Sequence, residues 1–364
     1  MAKYMCGFGQ WQSICVASAN GKVYVWLRPT ANLTSIYLAI CEADNAQNDA
    51  NNIEFKHFDV VPEAKDHHYI KSNKSFLAKQ CFSYSKIMKE WKILEKNLPE
   101  SIYVQVYETR IDLLRAVIIG SPRTPYHDGL FFFDICLPCD YPNQPPQVYY
   151  RSHGYRLNPN LYANGRVCLS LINTWGGSTA ERWTQKSTIL QILVSIQGLV
   201  LNEKPFFNEP VFRSHLNSKS TSWITKSNCY NQDAFILSCK TMLQIMEKPP
   251  GNFEIFVAQH FRVRAAFILT AIKEYGEGRV RVGHFQTNAT SSSSSSSVQV
   301  CGRFKANLKK VYSQLEIAFA RLTSDEPTKM DKEEKGCLIS EPPKMEKNKK
   351  KKGLLSKLAK WIWK

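Results

Sequence analysis

Leu157-Asn158-Pro159-Asn160-Leu161-Tyr162-Ala163-Asn164-Gly165-Arg166-Val167-Cys168-Leu169 places a proline-stiffened bend, an Asn-Gly turn and one cysteine in a single short stretch of a 364-residue chain. Pro159 fixes φ and limits the wandering of Asn160, and Asn164-Gly165 reverses the backbone. Val167 and Leu169 anchor the chain in a core while the loop opens toward solvent. Cys168 is therefore expected to be a thiol stiff enough to define one angle of attack and exposed enough for an amine to reach it. The carbonyl of an acyl group held on that sulfur becomes an oxyanion under attack. The side-chain amide of Asn160, eight residues upstream, is a suitable donor to it. A cysteine between apolar residues is ordinarily a buried structural thiol. The Asn-Pro-Asn bend at this spacing turns the reading of Cys168 toward a reactive one and leaves Asn160 as either donor or brace.

Outward from this stretch the pattern is regular. Ile87, Trp91, Leu94 and Leu98 recur at helical spacing and predict an amphipathic helix over 82–98. Segments 102–108, 113–119, 130–137 and 147–151 are β-rich and separated by turn residues, which predicts a four-stranded antiparallel meander. Residues 152–186 carry little periodicity, a length of irregular chain that is more often functional than idle. A helix is expected from Ser187 as N-cap, with Ile189, Leu193, Ile196 and Val200 inward. Phe235, Cys239, Met242 and Met246 predict a further helix, and Phe253, Phe256, Val257, His260 and Phe267 another. The fold class is α+β. The expected division is an N-terminal extension of unassigned function (1–80), a core with extra C-terminal helices (81–275) and a flexible Gly/Ser-rich linker (276–300) at which the folded domain ends. Beyond it lie a helix (301–323) and a charged tail (324–364).

This layout resembles the ubiquitin-conjugating enzyme family. Tyr126-His127-Asp128-Gly129-Leu130-Phe131-Phe132-Phe133, Tyr141-Pro142-Asn143-Gln144-Pro145-Pro146, Asn158-Pro159-Asn160 and Gly165-Arg166-Val167-Cys168-Leu169 stand in the family's order and spacing, and Trp183 continues it. Leu171-Ile172-Asn173-Thr174-Trp175 and Asn202-Glu203-Lys204-Pro205 are similar to the larger plant and animal members. The resemblance implies the family's fold and an acyltransferase that takes ubiquitin from the activating enzyme onto Cys168 and passes it to lysines. ATP is used upstream, so no cofactor is implied. Asn158, Pro159, Asn202 and Glu203 are the implied supporting loop residues. The family's usual histidine is Asn158 here, and its usual lysine-guiding acid is Asn202, an amide that cannot act as a base, which leaves Glu203 or Glu209 as substitutes. Asn143 replaces an aromatic that docks ligase RING domains in compact members, and residues 169–182 form a longer rim over the site, expected to be mobile. The implied partners are ubiquitin, its activating enzyme, and a ligase or the substrates directly. The rim and flanking segments leave open a combined conjugating enzyme and ligase. An inert ubiquitin-binding variant of the fold is the alternative.

Composition narrows the other classes. The formal net charge is +17. Residues 344–364 hold nine Lys against one Glu, so the basicity sits largely in the tail and no nucleic-acid partner is expected. Residues 349–364 set Leu354, Leu355, Leu358, Trp361 and Ile362 against Lys357, Lys360 and Lys364, which reads as a membrane-surface helix or, with equal weight, as a solvated charge run or nuclear signal. The longest apolar run, 189–201, is interrupted by Ser195, Gln197 and Gly198, and no transmembrane helix or secretory signal is expected. The eleven cysteines then fit reduced thiols in an intracellular chain, cytoplasmic or nuclear. Cys136-Leu137-Pro138-Cys139 has redox spacing, but Asp140-Tyr141-Pro142 cannot support the helix such a pair needs. No metal site is expected.

Overall fold

The computed structural model describes residues 55–63, 65–71, 84–286, 298 and 300–323, together with the backbone of an antiparallel hairpin of β1 (Ile14–Ala19) and β2 (Lys22–Leu27). The basic tail, 349–364, lies outside the described residues.

A five-stranded sheet organises the rest. β3 (Phe58–Val61) leads to helix α1 (Tyr84–Asn97), followed by β4 (Ile102–Tyr107), β5 (Leu113–Ile119), β6 (Leu130–Cys136) and β7 (Gln147–Tyr150), with spatial order equal to chain order. β4 to β7 form the expected meander. β3 is an addition: it pairs in parallel with β4, Phe58 opposite Val104 and Val61 opposite Tyr107. Residues 55–63 and 65–71 therefore belong to the folded body and not to an extension. Four residues beside polar neighbours are too short a run for periodicity to register.

Both faces of the sheet are covered, which is why β6 reads Leu-Phe-Phe-Phe-Asp-Ile-Cys without the alternation of a half-solvated strand. Phe131, Phe133 and Ile135 pack with Ile87, Trp91 and Leu94 of α1 and with α2 (Ile189–Ser195). Leu130 and Phe132 point to a second cluster, made with α3 (Thr221–Glu247), α4 (Glu254–Glu277) and α5 (Gly302–Thr323). α2 is N-capped by Thr188 rather than the expected Ser187, because Thr188 forms a reciprocal capping box with Gln191 while the Ser187 hydroxyl accepts from the Thr184 N–H. A π-helical turn, Ile196–Val200, continues α2.

The folded body does not end at Tyr275. Gly278 closes α4 in the left-handed conformation, the Gly283 N–H donates to the Tyr275 hydroxyl, and Val282 is buried. α5 inserts Phe304, Leu308, Val311, Leu315 and Phe319 into the cluster shared with α3 and α4. α4 is long and apolar enough in composition to cross a membrane, although polar residues interrupt its apolar ones. Here its Phe261, Ile268, Leu269 and Ile272 are buried in that same cluster.

Two buried charge networks tie the parts together. In the first, Arg115 and Asp134, opposite each other on β5 and β6, form a fully buried bidentate pair at 2.6 and 3.1 Å. Asp66 joins it at 2.6 Å from Arg115, and also accepts from the Gly251 N–H between α3 and α4. In the second, Asp128 accepts from Arg264 of α4 and pairs with His127, both at 2.6 Å, and His127 meets the Tyr275 hydroxyl at 3.1 Å. His127 and Asp128, at the turn between β5 and β6, are thus a docking point for the C-terminal helices.

Candidate active site

The loop between β7 and α2 is held by its own polar side chains. Asn158 is fully buried; its Oδ1 accepts from the Asn160 and Leu161 N–H groups, and its Nδ2 donates to the Val200 carbonyl at 3.0 Å. The Asn-Pro-Asn bend is thereby fastened to the end of the π-helical turn. Downstream the chain folds back on itself: the Tyr162 N–H donates to the Arg166 carbonyl, and Gly165 closes the bend at φ +86°. A Cβ there would lie 2.0 Å from the Tyr149 ring, so the close approach as well as the backbone angle calls for glycine.

Cys168 and Asn160 meet twice. The Cys168 N–H donates to the Asn160 carbonyl at 2.8 Å, and the Asn160 Nδ2 donates to the Cys168 carbonyl at 2.9 Å. The amide thus braces the backbone under the cysteine and is not aimed at its sulfur. Its Oδ1 is buried without a hydrogen-bond partner among the described residues. Thr174 completes the clamp, its hydroxyl donating to the Val167 carbonyl at 2.7 Å and accepting from the Leu169 N–H at 3.0 Å. The spacing of the motif carries no trace of Thr174, because Asn173, at φ +58°, swings it back onto the loop.

The expectation of a solvent-exposed sulfur fails: Cys168 is 1% exposed. The Tyr162 hydroxyl and the Arg166 guanidinium lie beside the sulfur, and Arg166 itself is exposed. Arg156 lies over the Tyr162 ring at 4.6 Å and reaches Glu209 at 3.3 Å, so the cover has its own support. Burial pushes the thiol up from its ordinary range, while the Arg166 charge, the neighbouring Tyr162 hydroxyl and the more remote Arg156 draw it down; burial prevails. Tyr162 was not among the sequence candidates, since its ring reaches the thiol only after the Asn164-Gly165 turn folds the strand back.

Cys168 and Asn160 lie in the lining of an open groove of about 1030 Å³, walled on one side by the 169–187 rim and on the other by residues 198–217. The rim is tethered: Ser170 Oγ donates to the Gly176 carbonyl, Trp183 Nε1 to the Pro142 carbonyl, and Gln185 to Asn143. Asn202 and Glu203 also line the groove. The Asn202 amide is committed to Leu199, Asn208 and the Lys204 N–H, which makes it a loop fastener. Glu203 faces His284 at 3.6 Å and Arg281 at 3.9 Å. Glu209 and Pro159 line a separate cavity of about 380 Å³, so Glu209 is not brought to the groove. Cys136 ends β6 buried, and turns rather than a helix follow Cys139.

A family model described as "Ubiquitin-conjugating enzyme" matches residues 86–234. Over 285 residues the chain is 47% identical to probable ubiquitin-conjugating enzyme E2 24 of Arabidopsis thaliana, covering 77% of this chain and 30% of that protein. Over 227 residues it is 51% identical to putative ubiquitin-conjugating enzyme E2 38 of the same plant, covering 62% of this chain and 68% of the relative. It is 32% identical over 241 residues to human "Dual E2 ubiquitin-conjugating enzyme/E3 ubiquitin-protein ligase BIRC6", where it spans 5% of the length. Among solved structures, human ubiquitin-conjugating enzyme E2 G1 is 27% identical, with 31% of this chain and 88% of that one covered at a TM-score of 0.28. The chain spans less than a third of the length of the first of these relatives.

Proposed function

This chain belongs to the ubiquitin-conjugating enzyme family, and from that membership we propose that it receives ubiquitin as a thioester on Cys168 and passes it to lysine amines. In the first step the Cys168 sulfur attacks the thioester carbonyl carried by the activating enzyme, whose own thiol leaves. In the second a lysine amine attacks the Cys168 thioester, an isopeptide bond forms, the Cys168 thiolate leaves, and the amine's proton passes to solvent or the departing sulfur. The observation that carries this reading is the pairing of Cys168 with Asn160 at the groove: two hydrogen bonds fix the backbone that presents the sulfur.

Tyr162 and Arg166 must move for the sulfur to be reached. Both are chain-end groups on a surface loop, whose displacement requires rotamer changes rather than unfolding. The Asn160 amide has two N–H groups; one is committed to the Cys168 carbonyl, and the other remains as the donor for the oxyanion formed at each attack. Glu203 is the carboxylate of the loop after α2 that faces the groove, and it takes the lysine-guiding role that Asn202 cannot. Partners on this reading are ubiquitin, its activating enzyme, and either a ligase or the substrates themselves, in an intracellular setting.

The near-complete cover of Cys168 favours a second reading, an inert ubiquitin-binding variant. Incubation with ubiquitin, activating enzyme and ATP, read on a non-reducing gel, separates the two. A thiol-sensitive adduct that disappears in Cys168→Ala is the expected result. No adduct, or one that persists in Cys168→Ala, overturns the assignment.

A further inference from the structure

The groove beside Cys168 is charged on both walls. Arg182 and Lys186 line it from the rim, and Lys204 and Arg213 from the opposite segment. All four are exposed, and none has an ion-pair partner among the described residues. Two carboxylates share the lining, Glu181 and Glu203, and Glu203 already has Arg281 and His284 beside it. Some exposed cations on this surface are paired, as Arg303 is with Asp233 and Arg279 with Glu274, but the groove brings four unpaired ones together around one site. Unpaired cations gathered on both sides of one concave site focus a positive field into it and raise the local concentration of anionic groups.

We propose that this groove selects acceptor segments in which the target lysine is flanked by aspartate or glutamate. The inference rests on the thioester reading of Cys168 and names the substrate class of that same site. A lysine entering alone would meet four cations against two carboxylates, Glu181 and Glu203, the second of them shared with Arg281 and His284. One carried between carboxylates brings its own compensation, with the acidic neighbours resting against Arg182 and Lys186 on one wall and Lys204 and Arg213 on the other while the amine reaches the thioester. Pairs at such an exposed rim act chiefly on encounter and are screened by salt.

The test uses the full chain, charged with ubiquitin and then chased with lysine peptides of equal length flanked by acidic, neutral or basic residues. Rates are counted per thioester present at the start. The acidic peptide should discharge the thioester about three- to tenfold faster than the neutral one at low salt, the basic peptide slowest, and the order should collapse at about 0.5 M salt. Lys204→Glu with Arg213→Glu should invert it. Equal rates, or a preference for the basic peptide, would overturn the inference while leaving the thioester reading intact. Should no thioester form, that reading fails instead, and fluorescence anisotropy of the same peptides on the uncharged chain decides the inference: tighter binding of the acidic peptide supports it and equal binding overturns it. A single-stranded oligonucleotide binding more tightly than the acidic peptide would also overturn it.

Discussion

At Cys168 the neighbours and the burial work against each other, and burial prevails. A thiol held above its ordinary range is less ionised at neutral pH than a free cysteine, so its alkylation by iodoacetamide is expected to climb with pH through and beyond that range, about tenfold per unit until the thiolate dominates. Arg166→Ala removes a charge that favours the thiolate. At fixed pH the pKa effect slows alkylation while the loss of cover speeds it, so the profile along the pH axis is the informative quantity; it should move upward. A downward move would mean that Arg166 acts only as a cover. Asn160 carries a second prediction. Asn160→Ala loses the bond to the Cys168 carbonyl, which lowers stability by about 1 kcal/mol, and loses the oxyanion donor, which slows discharge by about 10² to 10³. If discharge per thioester is unchanged while the melting temperature drops, Asn160 is a brace alone.

Among the elements, the β5–β6 pair is the most exposed to a single change. Asp134→Ala leaves the fully buried Arg115 guanidinium with only Asp66 and the carbonyls near it, and breaking a buried pair from one side costs about 3–5 kcal/mol. Urea unfolding should register the loss in the midpoint, and a shift under 1 kcal/mol would mean that water or Asp66 replaces the carboxylate. Asp134 also marks what a sequence can convey. α1, the four antiparallel strands and the two helices after α2 were legible because their apolar residues keep period, and the Cys168 loop was legible from its turn residues. β3 was not, since what holds Phe58–Val61 is a parallel backbone ladder to β4 and the docking of Asp66 onto Arg115, neither of which leaves a period. The N-cap was misplaced by one residue because Ser187 and Thr188 are chemically equivalent caps, and only the reciprocal bond from Gln191 distinguishes them. The roles of Tyr162, Thr174 and Arg156 were not legible for a related reason: each reaches the site through a fold-back rather than along the chain.

In the described body a five-stranded sheet carries an apolar slab of helices on the face away from α1, and both the pH response and the limits of truncation follow from that. His67 and His260 are held below the ordinary imidazole range, foremost by burial. Burial alone would raise the carboxyls of Asp66, Asp128 and Asp134, but paired arginines, with His127 at Asp128, hold all three below the usual carboxylate range. Each folded-state value lies below its unfolded one, so the unfolded chain takes up more protons on acidification and stability is lost as pH falls. The histidines act first, from about pH 6.5 downward, and the carboxylates below about 4. Thermal melts from about pH 8 down to about pH 2 should decline in those two stages, with His67→Gln flattening the first; a melting temperature that rises on acidification would contradict the assignment. The slab also tests where the domain ends. Phe304, Leu308, Val311, Leu315 and Phe319 of α5 are all buried against α3 and α4, and each such side chain is worth about 1.5–3 kcal/mol when fully buried. Their sum is comparable to the whole net stability of a domain, about 5–15 kcal/mol. A chain ending at residue 286, within the 276–300 span of the linker reading, should therefore precipitate or melt at least about 10 °C below one ending at 323, and equal melting of the two would show that α5 merely rests on the slab.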